Sequence, residues 1–439
     1  MARLLYTLLI YLCLPLILLR LLWRGGRAPA YRRRWGERFG FVERLPDAQP
    51  VIWVHSVSVG ETIAAAPMIR RLQKKYPDAT LLVTTMTPTG SAQVKKIFGN
   101  RVEHCYAPYD MPDAIARFLR RTHPAILVIM ETELWPNLIH ACHQRAIPAV
   151  LANARLSAKS AAGYAKVGRL SRPMLRELTA IAAQTKADGE RFIQLGVSNT
   201  ALEITGNIKF DLQLDAALRE KAALLKKQWQ GSSPRPVFLA ASTHRGEDEI
   251  VLDAYSQVLE QRPDLLLVLV PRHPERFDEV AALCRERDYC LQRRSETGPG
   301  DSRQLESSVQ ILLGDTMGEL LSFCGASDFT FVGGSLVDVG GHNLIEPAAW
   351  GVPVLSGPHL FNFTEVGRLL TEAGGLAISA TATELAEQVV ALLVDTDLHQ
   401  QMSSAALAVT EANRGALDRL TKLLENQIYQ RPAQVSSRH

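Results

Sequence analysis

Polar side chains that could move protons follow three apolar runs in the first half of the sequence. Glu61 lies just after the run at residues 51–57, separated from it by a short turn-prone segment. A hydroxyl-rich segment at residues 84–90 follows the second run, and Glu131 and Glu133 follow the third. Carboxylates are among the side chains that enzymes use as general acids and bases. These segments are therefore candidates for one catalytic site.

The segment around Glu61 predicts a buried strand, a tight turn and the start of a helix. The helix dipole and the free N–H groups of the first turn would stabilise the Glu61 carboxylate as an anion. We therefore expect it to be ionised at neutral pH. An acidic residue in a first helical turn is also common without any function, and the local pattern leaves both interpretations open.

Two further runs of this half end in polar segments, Asn153-Ala154-Arg155 and Gly206-Asn207-Ile208-Lys209. The carboxyl ends of parallel strands meet at one edge of a sheet, where α/β proteins place their chemistry. We therefore expect Lys209 to lie at the same edge as Glu61 and Glu131.

The second half of the sequence contains segments that suit a phosphate. Arg272 follows the run at residues 265–270 and could bind a phosphate with two parallel hydrogen bonds. Residues 315–319 follow another run and open a predicted helix, whose N–H groups would be available to an anion. A glycine-rich double turn at residues 333–343 precedes a helix containing Glu346, which could accept hydrogen bonds from ribose hydroxyls. Together these segments predict a nucleotide site.

Strands and helices alternate from residue 51 onward, which predicts parallel, doubly wound α/β sheets. The predicted strands are residues 51–57, 80–85, 125–130, 149–152, 180–184 and 202–205, and then 237–241, 265–270, 309–313, 329–332 and 352–355. A charged helical segment at residues 211–230 and the sequence Gly-Ser-Ser-Pro separate the two sets. We therefore predict two Rossmann-like domains with a ligand site in the cleft between them.

Residues 4–23 are almost entirely apolar and are long enough to cross a membrane if Arg20 reaches the interface. The flank that follows is crowded with arginine, which the positive-inside rule places in the cytoplasm. We expect a single-pass signal anchor with the catalytic body on the cytoplasmic side. A cleaved signal peptide ending near residues 28–30 and a helix lying in the interface are the alternatives. The basic segment at residues 155–176 is either a solvated helix or a surface for phosphorylated lipid.

Composition excludes several classes of function. The net charge of +4 and the lack of a basic–aromatic motif argue against a nucleic-acid partner. The six cysteines are scattered, form no Cys-x-x-Cys pair and have no spacing that suits zinc, so we interpret them as reduced thiols. The sequence predicts neither a metal site nor a cofactor.

Several motifs resemble those of the 3-deoxy-D-manno-octulosonic acid (Kdo) transferases of lipid A biosynthesis, which have the two-domain GT-B fold. The resemblance covers the chain from the anchor to about residue 425. Its motifs are Ser58-Val59-Gly60-Glu61, Glu131-Thr132-Glu133-Leu134-Trp135-Pro136, Asn153-Ala154-Arg155-Leu156-Ser157, Gly206-Asn207-Ile208-Lys209-Phe210-Asp211, Pro271-Arg272-His273-Pro274-Glu275-Arg276-Phe277 and Gly340-Gly341-His342-Asn343-Leu344-Ile345-Glu346-Pro347.

The resemblance implies an inverting, metal-free transfer of Kdo from CMP-Kdo to the tetraacyl disaccharide bisphosphate precursor of lipid A, at the cytoplasmic face of the inner membrane. It implies that Glu61 is the general base and that Glu131 and Lys209 stabilise the transition state. The residues it assigns to CMP are Pro271, Arg272, Met317, Gly318, Glu319, Asn343, Leu344, Ile345 and Glu346.

The predicted ranges are a membrane anchor with its basic flank at 1–34, an N-terminal acceptor domain at 35–220, a linker at 221–234, a C-terminal nucleotide-sugar domain at 235–425 and a tail at 426–439. Three rival functions fit the same architecture. They are a UDP-sugar-dependent lipid glycosyltransferase, a hydrolysing nucleotide-sugar epimerase and a non-catalytic nucleotide-sugar binder tethered to a membrane.

Overall fold

The computed structural model describes residues 1–46, 48–231, 234–297 and 304–429, without the side chains of Arg27 and Tyr429. The chain forms two compact units. The first contains Met1–Asp211 and the described residues from Arg414 to Tyr429, and the second contains Leu212–Asn413. Part of the predicted Gly-Ser-Ser-Pro linker and the tail from residue 430 lie outside the described residues.

The first unit is built on a parallel sheet of seven strands in the order β3-β2-β1-β4-β5-β6-β7. The strands are β1 (Val51–His55), β2 (Thr80–Thr85), β3 (Glu103–Tyr106), β4 (Pro124–Met130), β5 (Ala149–Ala154), β6 (Ala180–Ala183) and β7 (Leu202–Ile204). The helices are α1 (Ala2–Arg27), α2 (Trp35–Arg38), α3 (Val59–Lys75), α4 (Pro88–Phe98), α5 (Pro112–Thr122), α6 (Pro136–His143), α7 (Ala158–Lys166), α8 (Gly168–Arg176) and α9 (Lys186–Gln194).

The second unit repeats this plan with the strand order β10-β11-β9-β8-β12-β13-β14. Its strands are β8 (Val237–Thr243), β9 (Leu266–Pro271), β10 (Leu291–Arg293), β11 (Ile311–Leu313), β12 (Phe329–Val332), β13 (Val354–Ser356) and β14 (Leu376–Ile378). Its helices are α10 (Ala216–Gln230), α11 (Glu247–Leu259), α12 (Phe277–Glu286), α13 (Leu320–Ala326), α14 (Ile345–Ala349), α15 (Thr364–Ala373), α16 (Ala382–Val394) and α17 (Thr396–Ala412), and α18 (Ala416–Tyr429) follows them in the chain.

The predicted doubly wound parallel sheets are confirmed, and their core explains why. Side chains along β1 alternate between two apolar clusters, with Val51 and Trp53 in one and Ile52 and Val54 in the other. A parallel sheet covered by helices on both faces needs such continuous apolar strands. The three strands that the sequence analysis missed, β3, β10 and β14, are short and lie at sheet edges, where the apolar pattern is weakest.

Helix α18 belongs to the first unit, although it follows the second unit in sequence. Its residues Ala416, Leu420 and Leu424 pack in the same apolar cluster as residues of α3. The carboxylate of Asp211 accepts hydrogen bonds from the backbone N–H groups of Gly415 and Leu417, both at 2.6 Å. The first unit therefore includes α18, and α10 lies within the helical segment predicted at residues 211–230.

Helix α1 is long and apolar enough to cross a membrane, by length and composition alone. One side of it packs against α6 and α8. The Tyr6 hydroxyl donates to the Asp110 carboxylate at 2.9 Å, and the Thr7 hydroxyl donates to the Asn137 side-chain oxygen at 3.0 Å. The opposite side carries a stripe of exposed leucines at positions 4, 5, 8, 9, 12, 16, 19 and 22.

Candidate active site

Glu61 lies in the first turn of α3, which follows the interior strand β1 after a short turn. Ser58 is the N-cap of α3, and its hydroxyl donates to Oε1 of Glu61 at 2.8 Å. The Val57 backbone N–H donates to Oε2 at the same distance. These bonds satisfy both carboxylate oxygens and fix the side chain at the carboxyl edge of the sheet.

The structure opposes the expected ionisation of Glu61 at neutral pH through an effect that the sequence analysis did not include. Only 8% of the residue is exposed, and this burial raises the pKa of its carboxyl group to about 7. The hydrogen bonds from Val57 and Ser58 lower the pKa, and the negative charges of Glu133 and Glu131 raise it further. The sequence analysis counted the helix dipole but not the burial, which is the larger effect here.

Glu131 and Lys209 form an ion pair, with Nζ of Lys209 3.2 Å from Oε1 of Glu131. Glu131 follows β4, which is the neighbour of β1, and has a left-handed backbone with φ of 55°. Both side chains are about one-third exposed, at 28% for Glu131 and 33% for Lys209. The pair is therefore accessible to a ligand, and its carboxylate is close enough to Glu61 to influence it.

Asn153 explains how Lys209 reaches this edge. Its side-chain oxygen, at the end of β5, accepts the backbone N–H of Ile208 at 3.1 Å. The Asn207 side chain then accepts the backbone N–H of Lys209 at 3.0 Å and starts a short 3-10 turn. The structure thus brings Glu61, Glu131 and Lys209 to one place, although Lys209 follows β7, three strands away from β4.

Hydroxyl groups of the segment at residues 84–90 form hydrogen bonds within the fold. The Thr84 hydroxyl accepts from the Trp53 indole at 2.8 Å and bonds the His55 ring at 2.9 Å, all within the buried core. Thr87 caps α4. Glu133 is the more relevant neighbour of the site, because burial raises its pKa and its charge acts on Glu61.

In the second unit, Arg272 and the segment at 343–346 lie at one sheet edge. The Asn343 side chain donates to Oε1 of Glu346 at 3.0 Å, and its oxygen accepts the Ile345 N–H at 3.2 Å. Burial raises the pKa of Glu346, while Asn343 and the positive charge of Arg272 lower it. Arg272 itself is exposed after Pro271 and close enough to act on Glu346.

The predicted segment Met317-Gly318-Glu319 follows β11 and precedes α13. The Met317 side chain is exposed, and Gly318 has a φ of 90°, a conformation that suits glycine. The Glu319 carboxylate is paired with Lys221 at 2.8 Å and Arg294 at 3.2 Å. Burial raises the pKa of Glu319, but the hydrogen bonds from Arg294, Lys221 and Thr316 outweigh it and lower the pKa to about 2. Its side chain is thus engaged within the protein.

Sequence reasoning missed His244, which follows β8. Its ring lies against those of His342 and His273, with centroids at 5.0 and 5.2 Å. A histidine at the end of a central strand, with two others after neighbouring strands, was the signal that could have found it. Within the described ranges, no group of three or more His, Cys, Asp or Glu side chains is arranged to hold a metal ion.

Comparison with known proteins identifies the family. Residues 33–212 match the family model for 3-deoxy-D-manno-octulosonic-acid transferase. The chain is 45% identical over 427 residues to the 3-deoxy-D-manno-octulosonic acid transferase of Haemophilus influenzae, covering 97% of this chain and 98% of that one. The chain belongs to the Kdo transferase family. It is therefore an enzyme, a glycosyltransferase.

A second member of the Kdo transferase family, from Bordetella pertussis, is 38% identical over 443 residues, covering 97% of this chain and 99% of that one. Among solved structures, the UDP-GlcNAc 2-epimerase from Neisseria meningitidis bound to UDP-GlcNAc matches with a TM-score of 0.58 at 16% identity, over 87% of this chain and all of that one. At this identity the likeness shows the fold alone. The fold is the predicted GT-B fold with two Rossmann-like domains.

Proposed function

We propose that this enzyme transfers Kdo from CMP-Kdo to the tetraacyl disaccharide bisphosphate precursor of lipid A, with inversion at the anomeric carbon and without a metal ion. The observation that carries the proposal is the buried Glu61 carboxylate beside the Glu131–Lys209 pair. Membership of the Kdo transferase family supports the transferred sugar.

In the proposed reaction, Glu61 takes the proton from a primary hydroxyl of the acceptor. The hydroxyl oxygen forms a bond to the anomeric carbon, and the bond from that carbon to the CMP phosphate breaks, its electron pair leaving with CMP. The transition state resembles an oxocarbenium ion. Glu131 and Lys209 stabilise it, the carboxylate facing the positive sugar and the ammonium facing developing negative charge.

CMP is bound in this proposal by Pro271 and Arg272, by the backbone of residues 317–319 and by residues 343–346. A phosphate monoester is a good leaving group, and an arginine with backbone N–H groups can stabilise it without a metal ion. Since the Glu319 side chain is already paired with Lys221 and Arg294, we assign its contribution to the backbone. The N-terminal domain then takes the acceptor and the C-terminal domain takes the nucleotide sugar.

The enzyme works at the cytoplasmic face of the inner membrane in this proposal, held there by α1. Polar contacts with the body involve Tyr6 and Thr7 near one end of the helix, and Leu21 is buried near the other. Fifteen residues of helix are about 22 Å long, so the body lies beside α1 over most of a bilayer's thickness. This packing favours a helix lying in the interface over the expected single-pass span, with its leucine stripe in the lipid.

A transfer assay in detergent tests the proposed function. Labelled CMP-Kdo is offered with the bisphosphorylated lipid acceptor, and the lipid is separated by chromatography. We expect labelled lipid from the wild type and a 10²- to 10⁴-fold slower reaction from Glu61→Ala, roughly the contribution of a general base. Glu203→Ala is the control, because Glu203 is an exposed glutamate on β7.

Turnover by Glu61→Ala at the wild-type rate would overturn the assignment of the base. Transfer from a UDP-sugar in place of CMP-Kdo would favour the UDP-dependent lipid glycosyltransferase. Consumption of donor without any acceptor would favour the epimerase, whose fold the chain shares at low identity.

A further inference from the structure

Three histidines of the second unit meet at the carboxyl ends of three adjacent strands. His273 follows β9, His244 follows β8, and His342 lies in the loop after β12. The Nε2 atoms of His244 and His342 are 2.8 Å apart, and their rings are stacked at an interplanar angle of 10°. The ring of His273 meets that of His244 edge-on. The proposed reaction as described above gives these side chains no role.

One buried carboxylate connects the loop segments that carry His244 and His342. Glu247, which is fully buried at the start of α11, accepts the backbone N–H of His244 at 2.9 Å. It also accepts the backbone N–H groups of Gly334 and Ser335 at 2.6 and 2.8 Å. The turn after β8 is thus tied to the loop after β12. Buried hydrogen bonds therefore fix the backbone next to these histidines.

Gly334 lets the His342 ring approach the backbone closely. Its φ is 69°, and a Cβ at this position would lie 2.9 Å from Cδ2 of His342. Basic groups also lie near the rings, since the charges of Arg272 and His273 act on both His244 and His342. The cluster therefore faces the same edge as the residues proposed to bind the nucleotide.

We propose that His244, His273 and His342, together with Arg272, form the subsite for the anionic phosphate ester of the donor nucleotide, and that the His244–His342 pair takes up one proton when this anion binds. The inference rests on the proposed function, because it takes the donor to be a nucleotide sugar.

The hydrogen bond between the two rings defines where the proton goes. An Nε2···Nε2 contact of 2.8 Å requires one ring to donate and the other to accept. In the neutral pair, the ring that donates from Nε2 has no proton on Nδ1. Uptake of one proton from solvent at that Nδ1 makes the ring an imidazolium and preserves the bond between the rings. The pair then carries one positive charge to face the phosphate.

Burial and nearby positive charges keep the His244–His342 pair neutral until an anion binds. Burial lowers the pKa of His342 to about 4, and the charges of His244, Arg272 and His273 lower it further. Burial also lowers the pKa of His244, as do His273, Arg272 and Arg276, while Glu247 raises it. Glu346 lies beside Arg272. A bound anion adds negative charge beside these rings, which raises their pKa and draws in a proton.

Isothermal titration of the full-length protein in detergent tests the inference. CMP is titrated at pH 7 in two buffers of different ionisation enthalpy, and the difference in observed heat gives the protons taken up. We expect net proton uptake, up to one proton per CMP, for the wild type and close to none for His342→Gln. The variant should bind CMP roughly tenfold or more weakly, because hydrogen bonds to charged groups contribute this much.

His399→Gln is the matched control, because His399 bonds the backbone oxygen of Asp328 at the opposite end of β12. It should bind CMP and take up protons as the wild type does. Cytidine, which has no phosphate, should give no proton uptake. Thermal melting of each variant checks that it is folded.

The outcomes separate the subsite from the proposed function. CMP binding without proton uptake, or unchanged affinity in a folded His342→Gln variant, would overturn the subsite alone. Binding of UDP with proton uptake, in place of CMP, would overturn the proposed donor and support the subsite. Binding of neither nucleotide would overturn both.

Discussion

The Glu61 carboxylate accepts hydrogen bonds from Val57 and Ser58, and both bonds favour its charged form. Burial favours the neutral form and has the larger effect, so the pKa is raised to about 7. A general base works best when its pKa is close to the working pH, because it is then both deprotonated and basic. The same burial that makes Glu61 partly protonated therefore also makes it a stronger base.

The pH dependence of transfer follows from this shift. Glu61 must be deprotonated to act, so kcat/KM should fall about tenfold per pH unit below pH 7 and level off above it. Ser58→Ala removes a bond that lowers the pKa, so its profile should move to higher pH. Ser157→Ala, which removes the N-cap hydroxyl of exposed α7, should leave the profile unchanged. A wild-type midpoint near 4.5 would contradict the assignment.

The Glu131–Lys209 pair can be tested by a double-mutant cycle. Because the two side chains bond at 3.2 Å, each single variant, Glu131→Gln or Lys209→Met, removes the same interaction. The two losses in kcat should therefore combine less than additively, with a coupling of about 0.5–3 kcal/mol. The exposed pair Lys186–Glu190 at 4.0 Å is the control and should show no effect on kcat. Strict additivity at Glu131 and Lys209 would mean that they act separately.

Among the elements, α18 shows how a distant segment completes a sheet layer. Its apolar face joins the cluster of α3, and Asp211 holds its first turn through two charge-assisted hydrogen bonds. Asp211→Ala should lower the free energy of unfolding of the first unit by about 1.5–3 kcal/mol. Urea denaturation measures this, and Glu203→Ala should remain within about 0.5 kcal/mol of the wild type. An equal effect of both variants would exclude a special role for Asp211.

Helix α1 should bind membranes through its exposed leucines. Replacing Leu5, Leu9, Leu12 and Leu16 with Glu should move the enzyme from the vesicle fraction to the soluble fraction in flotation, because the stripe would no longer enter lipid. Leu224→Glu is the control, since Leu224 is exposed on α10 of the second unit.

The orientation of α1 has its own test. Cysteines placed at Ala2 and Gly26 bracket the helix, after the native Cys13 and Cys290 have been replaced by Ser. An impermeant maleimide added to one side of sealed vesicles should label both positions if α1 lies in the interface. Labelling of only one position would instead support a helix that spans the membrane.

For the whole molecule, the residues proposed to bind the donor and to remove the proton belong to different compact units. Glu61 lies in the first unit and Arg272 in the second. CMP at 100 times its Kd should stabilise the wild type by about 2.7 kcal/mol, and Glu61→Gln should keep this stabilisation while losing transfer. Arg272→Met should lose much of it. Thermal melting with and without CMP measures both, and loss of the effect in Glu61→Gln would contradict this separation.

The sequence by itself determined the two parallel sheets and the sheet edge that carries the candidate active site. Apolar runs separated by helical segments leave few alternatives to parallel strands, and parallel strands carry their polar ends to one edge. For that reason Glu61, Glu131 and Lys209 could be grouped before any coordinates. The motifs that resemble those of the Kdo transferases contain the same three residues.

Only the tertiary structure could determine the features that depend on contacts between segments far apart in the chain. The raised pKa of Glu61 comes from burial and from Glu131 and Glu133, which no local pattern around residue 61 contains. The return of α18 to the first unit, the packing of one face of α1 and the meeting of His244 with His342 are likewise long-range. Periodicity reports on neighbours along the chain, whereas desolvation and charge depend on neighbours in space.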